Sequence, residues 1–167
     1  MDALIAGLNY DTIYLDYQKA FDRCDQGIAA HSLRKFGFQG TLGCWLNDFM
    51  RDREQYVIAN NAKSAPDKVR SGVAQGSVLG PLIFLLSVES ITELDLDGDL
   101  GLFADDTRKG MAVGSEEDAI KVQCDLGVLG EWSGEKNMLF NNAKFEALKT
   151  GYNEDLKLQY NYLTPDM

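Results

Sequence analysis

Leu100–Gly110 reads LGLFADDTRKG, and how this stretch folds decides the architecture. Leu100, Leu102 and Ala104 alternate with Gly101, Phe103 and Asp105, an apolar run that ends on two adjacent carboxylates. Alternation with period two marks a β-strand, and Asp is a ready turn former. The spacing predicts a β-hairpin: one strand up to Ala104, a tight turn at Asp105–Asp106 and a return strand through Val113. Taken alone, an Asp-Asp pair in a chain with 26 acidic residues is no more than an acidic hairpin tip.

A second stretch, Thr12–Asp22 (TIYLDYQKAFD), changes its meaning. Ile13, Tyr14 and Leu15 form a β-branched and aromatic run that stops at Asp16. If both strands lie side by side in one sheet, Asp16, Asp105 and Asp106 converge at one edge. Carboxylates so placed repel one another and raise each other's pKa. Hard divalent cations such as Mg²⁺ relieve that repulsion. Two of them about 3.5–4 Å apart suit phosphoryl transfer, one activating the attacking oxygen and the other stabilising the leaving one.

With these stretches in view, YLDYQKAFD (14–22), SGVAQGSVLGPLIFLL (71–86) and LGLFADDTRKG resemble motifs A, B and C of reverse transcriptases. They are most similar to those of non-LTR (LINE-type) retrotransposons. WSGEKNMLFNNAKFEALKTG (132–151) matches the region that follows the catalytic hairpin in the same enzymes. The resemblance runs from Asn9 to Gly151 and implies an RNA-directed DNA polymerase working on an RNA template, a DNA primer and dNTPs. It implies two Mg²⁺ or Mn²⁺ ions, with Asp16 and Asp105 as the main ligands and Asp106 as the supporting carboxylate. Phe21, five residues after Asp16, matches the aromatic that blocks the ribose 2′-OH of an incoming nucleotide. RNA-dependent RNA polymerases usually carry an acidic residue there. Gln75 and Gly76 match positions that touch template and incoming nucleotide, although Ala74 departs from the usual Pro. Lys144 matches a lysine proposed to protonate the departing pyrophosphate.

The bulk properties pull against nucleic-acid binding. The net charge is −10, the opposite of a basic footprint, and the basic clusters at Arg51–Arg53, Lys63–Arg70 and Arg108–Lys109 are modest. Either missing fingers and thumb segments of a longer polyprotein supply the grip, or the chain is a non-catalytic truncated remnant with a polymerase-palm fold. The longest apolar run, Val78–Val88, is broken by Gly80, Pro81 and Ser87 and is too short to span a membrane. The first residues lack the basic start of a secretory signal, so an intracellular setting, nuclear or cytoplasmic, is expected. Cys24, Cys44 and Cys124 show no ligand spacing and read as reduced, mostly buried thiols, and His31 has no partner at ligand spacing.

In order, the chain predicts a helical turn before Asn9, the strand ending at Asp16, helices over 25–36 and 40–50, and a hairpin over 55–72. Then come the glycine-spaced loop and helix of 71–86, an acidic solvated connector over 90–99, the hairpin, a helix over 115–134 and a strand over 145–149. In the 115–134 helix, Ile120, Val122, Cys124, Val128, Leu129 and Trp132 are the expected core stripe. No linker or repeat interrupts this order. The class is α+β: a polymerase palm, an antiparallel sheet with helices packed on one face in a split βαβ-like arrangement. The resemblance implies that residues 1–151 are the palm region, with the fingers truncated at the N-terminus, and that 152–167 are a tail or the start of a missing thumb.

Overall fold

The structure is a computed structural model that describes residues 8–151 and 160. The expected turn before Asn9 and most of the tail lie outside the described residues. In chain order the elements are β1 (Asn9–Asp16), α1 (Ala20–Arg23), α2 (Gln26–Lys35) and α3 (Gly40–Met50). Four two-residue strands follow, β2 (Glu54–Gln55), β3 (Ile58–Ala59), β4 (Ala62–Lys63) and β5 (Asp67–Lys68), and then α4 (Leu79–Val88). The described residues continue with β6 (Asp99–Phe103), β7 (Asp106–Val113), α5 (Glu116–Glu135) and β8 (Glu146–Thr150). They fall into two compact units, Met1–Gln18 with Ser90–Met167, and Lys19–Glu89.

The first unit is built on a four-stranded sheet in the order β6-β7-β1-β8, antiparallel throughout. This is the α+β class read from the sequence. Along β1 and β7 the pairing runs from Asn9↔Val113 to Asp16↔Asp106. Ile13, Leu15, Thr107, Lys109 and Val113 are buried on one face, which α5 covers. The residues between them, Tyr10, Tyr14, Asp16, Asp106 and Arg108, occupy the other face. Two glycines make room on that second face. A Cβ at Gly110 would fall 2.5 Å from the Tyr10 hydroxyl, which reaches across to Asp99 Oδ2 at 2.8 Å. A Cβ at Gly101 would meet the Arg108 guanidinium at 3.3 Å.

The hairpin turns one residue earlier than its sequence suggests. Phe103 pairs with Asp106, so Ala104 and Asp105 form the two-residue loop and Asp106 is the first residue of the return strand. Pairing of Asp106 with Asp16 on the neighbouring strand draws it into the ladder. Ala104 then takes a positive φ of 52°, a conformation that suits Gly better and stores strain beside the carboxylates.

Helix α5 opens on a capping box: Ser115 accepts from the Asp118 N–H while the Asp118 carboxylate accepts from the Ser115 N–H. Its buried stripe is Ala119, Val122, Asp125, Leu126, Leu129 and Trp132. Ile120, Cys124 and Val128 of the expected stripe are turned away from it. The physical reason is Asp125. Its carboxylate lies 3.0 Å from the ammonium of Lys109, whose side chain is wholly buried, and accepts from the Asp97 N–H at 3.1 Å. A core-facing charge disguises the buried face as a polar one. The same pair removes Lys109 from the surface basic cluster and leaves Arg108 alone there. The acidic connector is also less solvated than expected, since Ile91 is buried and Trp132 Nε1 donates to Ser90 Oγ at 3.1 Å.

In the second unit, Asp25 caps α2 by accepting from the Gly27 and Ile28 N–H groups at 2.7 and 2.9 Å. Gly37, at φ 85°, closes it as the sequence predicts. Helix α3 has the predicted bounds but buries only Leu46 and Met50, leaving Leu42 and Trp45 about half exposed. Between β3 and β4 the chain turns at Asn60–Asn61, both at positive φ. Of the three cysteines only Cys24 is buried, which holds its thiol pKa up; Cys44 and Cys124 are exposed, against expectation.

The buried ion pair yields a stability prediction. Lys109→Met or Asp125→Leu alone strands one buried charge and should cost about 3–5 kcal/mol in urea denaturation, whereas the double change should recover most of that loss, short of the Asp97 N–H it leaves without its acceptor. A double variant as unstable as either single would contradict the pairing.

Candidate active site

Strand β1 carries Asp16 to the end of its ladder, and β7 begins there with Asp106 directly opposite. Side chains opposite each other in an antiparallel pair share a face, so these carboxylates sit on the side of the sheet away from α5. Asp105 stands in the turn immediately before Asp106. The sequence spreads these residues over some ninety positions and the register gathers them at one end of the sheet.

Lys144 joins them. Its Nζ donates to Asp16 Oδ2, with the Lys144 side chain 63% exposed and that of Asp16 19% exposed. The hydrogen bond and charge of Asp16, with smaller contributions from Asp105 and Asp106, hold the Lys144 pKa above its ordinary value. All three carboxylates thus act on one cation. The mount is local: Asn141 donates its N–H to the Asp16 carbonyl at 2.7 Å and caps a 3-10 turn, Asn142–Lys144, by accepting from the Ala143 N–H at 3.1 Å. Gln18 N–H donates to the Leu139 carbonyl at 2.8 Å and Gln18 Nε2 to the Phe140 carbonyl at 3.1 Å, stitching the neighbouring residues to the same stretch. Asn141 is a residue whose part sequence reasoning missed. An Asn three residues before the lysine is a turn-cap signal, but it does not reveal what the turn is fixed to.

Carboxylate oxygens are hard donors and suit Mg²⁺ or Mn²⁺ in kind. Among the described residues, however, no three His, Cys, Asp or Glu side chains are grouped closely enough to hold a metal ion. In this arrangement the cation on Asp16 is the ammonium of Lys144.

Phe21, Gln75 and Gly76 belong to the second unit. Phe21 stacks on the buried Phe84 with ring centroids 4.8 Å apart. Gln75 Nε2 donates to Asp22 Oδ1 at 2.7 Å, Ser71 Oγ to the Asp22 carbonyl at 2.8 Å, and the N–H groups of Gly72 and Val73 to the carbonyls of Cys24 and Phe21 at 2.7 and 2.8 Å. The glycine-spaced loop is thereby sewn to α1. Gly72 permits this closeness: at φ 81°, a Cβ there would lie 2.7 Å from the Phe21 carbonyl oxygen. Gly76, at φ 77°, has open space where a Cβ would stand. A polar cavity of about 720 Å³ lies beside this loop, lined by Arg53, Lys68, Arg70, Asp22 and Gln75 among others.

Comparison with known proteins places these features in a wider group. A family described as reverse transcriptase (RNA-dependent DNA polymerase) matches residues 9–163. The chain is 35% identical over 74 residues to a Drosophila melanogaster protein named "Probable RNA-directed DNA polymerase from transposon BS", covering 44% of this chain and 8% of that protein. It is 33% identical over 102 residues to the RNA-directed DNA polymerase from mobile element jockey of the same species, covering 56% of this chain and 11% of that protein. It therefore spans only a small part of these relatives. Among solved structures, a Candida tropicalis telomerase truncated from its C-terminal domain superposes with a TM-score of 0.66 over 99% of this chain and 37% of that one, at 16% identity. That likeness extends to the fold.

The two loop glycines separate folding from any role at the site. Gly72→Ala should cost about 2–4 kcal/mol, because its Cβ meets backbone and its φ is left-handed. Gly76→Ala should cost about 1 kcal/mol, from backbone strain alone. Equal losses in chemical denaturation would mean the loop is not sewn to α1 through Gly72.

Proposed function

This chain belongs to the reverse transcriptase family, and from that premise we propose that it is the palm portion of a non-LTR retrotransposon enzyme that adds dNTPs to a primer 3′-OH along an RNA template. The observation that carries the reading is the β1–β7 register, with Asp16 opposite Asp106 and Asp105 in the adjoining turn. Asp16 and Asp105 would be the principal ligands for two Mg²⁺ or Mn²⁺ ions, with Asp106 in support. When bound, such ions supply charge stabilisation to the attacking and leaving oxygens of an in-line displacement.

The remaining work falls to the chain's own groups. The sheet face opposite α5 presents Arg108, which is exposed, beside the carboxylates, a single positive charge on which a phosphate backbone can rest. Phe21, fixed by its stack on Phe84, excludes a ribose 2′-OH. Gln75 and Gly76 contact template and incoming nucleotide. The backbone at Gly76 is open to close approach, and Gln75 is oriented by Asp22. Lys144, kept protonated by its carboxylate neighbours, donates a proton to the departing pyrophosphate.

A net charge of −10 repels nucleic acid, so further segments of a longer protein are needed to hold template and primer. No helix among the described residues is long and apolar enough to cross a membrane. Primer extension on poly(rA)/oligo(dT) with dTTP and Mn²⁺ tests the proposal. Residues 1–167 alone should give only traces. Joined to the flanking segments of a longer relative such as the jockey polymerase, they should extend the primer, and Asp105→Asn should reduce extension by about a thousandfold. In that longer protein Phe21→Ala should raise rNTP use relative to dNTP. Extension that survives Asp105→Asn would overturn the assignment.

A further inference from the structure

The ion pair between Lys144 and Asp16 has a role that proton donation does not cover. Its two ends are mounted differently. Asp16 sits at the end of a four-stranded ladder, and the 3-10 turn that bears Lys144 is tied to the carbonyl of Asp16 through Asn141. The Lys144 backbone is therefore fixed relative to Asp16. Its side chain is mostly exposed and has a flexible four-carbon stem, so the ammonium can leave without moving the turn. Asp16 is the less exposed partner and faces Asp106 across the ladder, so without a cation on it two like charges stand opposed.

We propose that Lys144 is a resident counter-ion that holds Asp16 in place and is displaced when a divalent cation takes that carboxylate. The inference rests on the reading of Asp16, Asp105 and Asp106 as a cation site. An ammonium and a divalent cation cannot both occupy Asp16 Oδ2, because their like charges repel at contact distance. The two compete, and the competition has two consequences. Lys144 lowers the affinity of the site for the metal while it offsets the charge of Asp16 against Asp106. The ammonium is also released beside the site only once the metal is there. Lys144 is in this respect a positioning residue that acts through Asp16.

Mn²⁺ binding to the 167-residue chain, followed by the electron paramagnetic resonance of free Mn²⁺, tests the proposal. Lys144→Ala should tighten binding about two- to fivefold, the equivalent of a largely exposed ion pair. Lys144→Arg, which can still reach the carboxylate, should retain wild-type affinity. Lys121→Ala, on a lysine paired with Asp118 in α5, should leave binding unchanged. In a second readout, the Lys144 side-chain ¹⁵N resonance should move on addition of Mg²⁺ and stay in place in Asp16→Asn. Unchanged or weaker Mn²⁺ binding in Lys144→Ala, with wild-type binding still lost in Asp105→Asn, would overturn the counter-ion role and leave the cation site standing. Absence of binding in both wild type and Lys144→Ala, or binding indifferent to Asp105→Asn, would overturn both.

Discussion

Asp16 and Asp106 face each other across the β1–β7 ladder, an opposition of like charges that a sheet does not adopt without compensation. The backbone supplies part of what holds it, since pairing runs unbroken from Asn9↔Val113 to this last pair. The rest comes from Lys144, whose ammonium rests on Asp16 and is drawn by all three carboxylates. The site and the sheet are thus one construction. A slip of a single residue between β1 and β7 would turn Asp106 from the side of Asp16 to the side of the core.

The alternation along β7 makes the same demand from the other direction. Asp106 and Arg108 are exposed while Thr107 and Lys109 are buried, so four consecutive polar residues divide between solvent and core. Lys109 can occupy the core only because Asp125 of α5 meets it at 3.0 Å. Removing that partner would set the burial cost of an ammonium against the register that keeps Asp106 opposite Asp16. The ion pair beneath the sheet and the carboxylates above it are linked through alternate residues of one strand.

Much of this was legible in the sequence because period-two alternation and capping residues act locally. The strand ending at Asp16, the Ser115 cap and the glycine that closes α2 each carry their own signal. What stayed hidden depends on partners distant in sequence. Lys109 looked like a surface base because nothing near it in the chain indicates Asp125, and that buried Asp in turn displaced the expected stripe of α5. The turn shifted from Asp105–Asp106 to Ala104–Asp105 because Asp106 pairs with a strand some ninety residues away. Of the candidate site, the carboxylates were readable as strand ends. The attachment of Lys144 through Asn141 was not, since a cap fixes a turn's shape and says nothing of its neighbours.

We propose that a divalent cation binds at the end of the β1–β7 ladder. Anomalous diffraction at the manganese edge, from crystals of the chain soaked in Mn²⁺, addresses it directly. The account predicts an anomalous peak within coordination distance of the Asp16 carboxylate and of Asp105 or Asp106, with the Lys144 ammonium moved off Asp16. A peak elsewhere on the chain, with Lys144 still seated on Asp16, would contradict it.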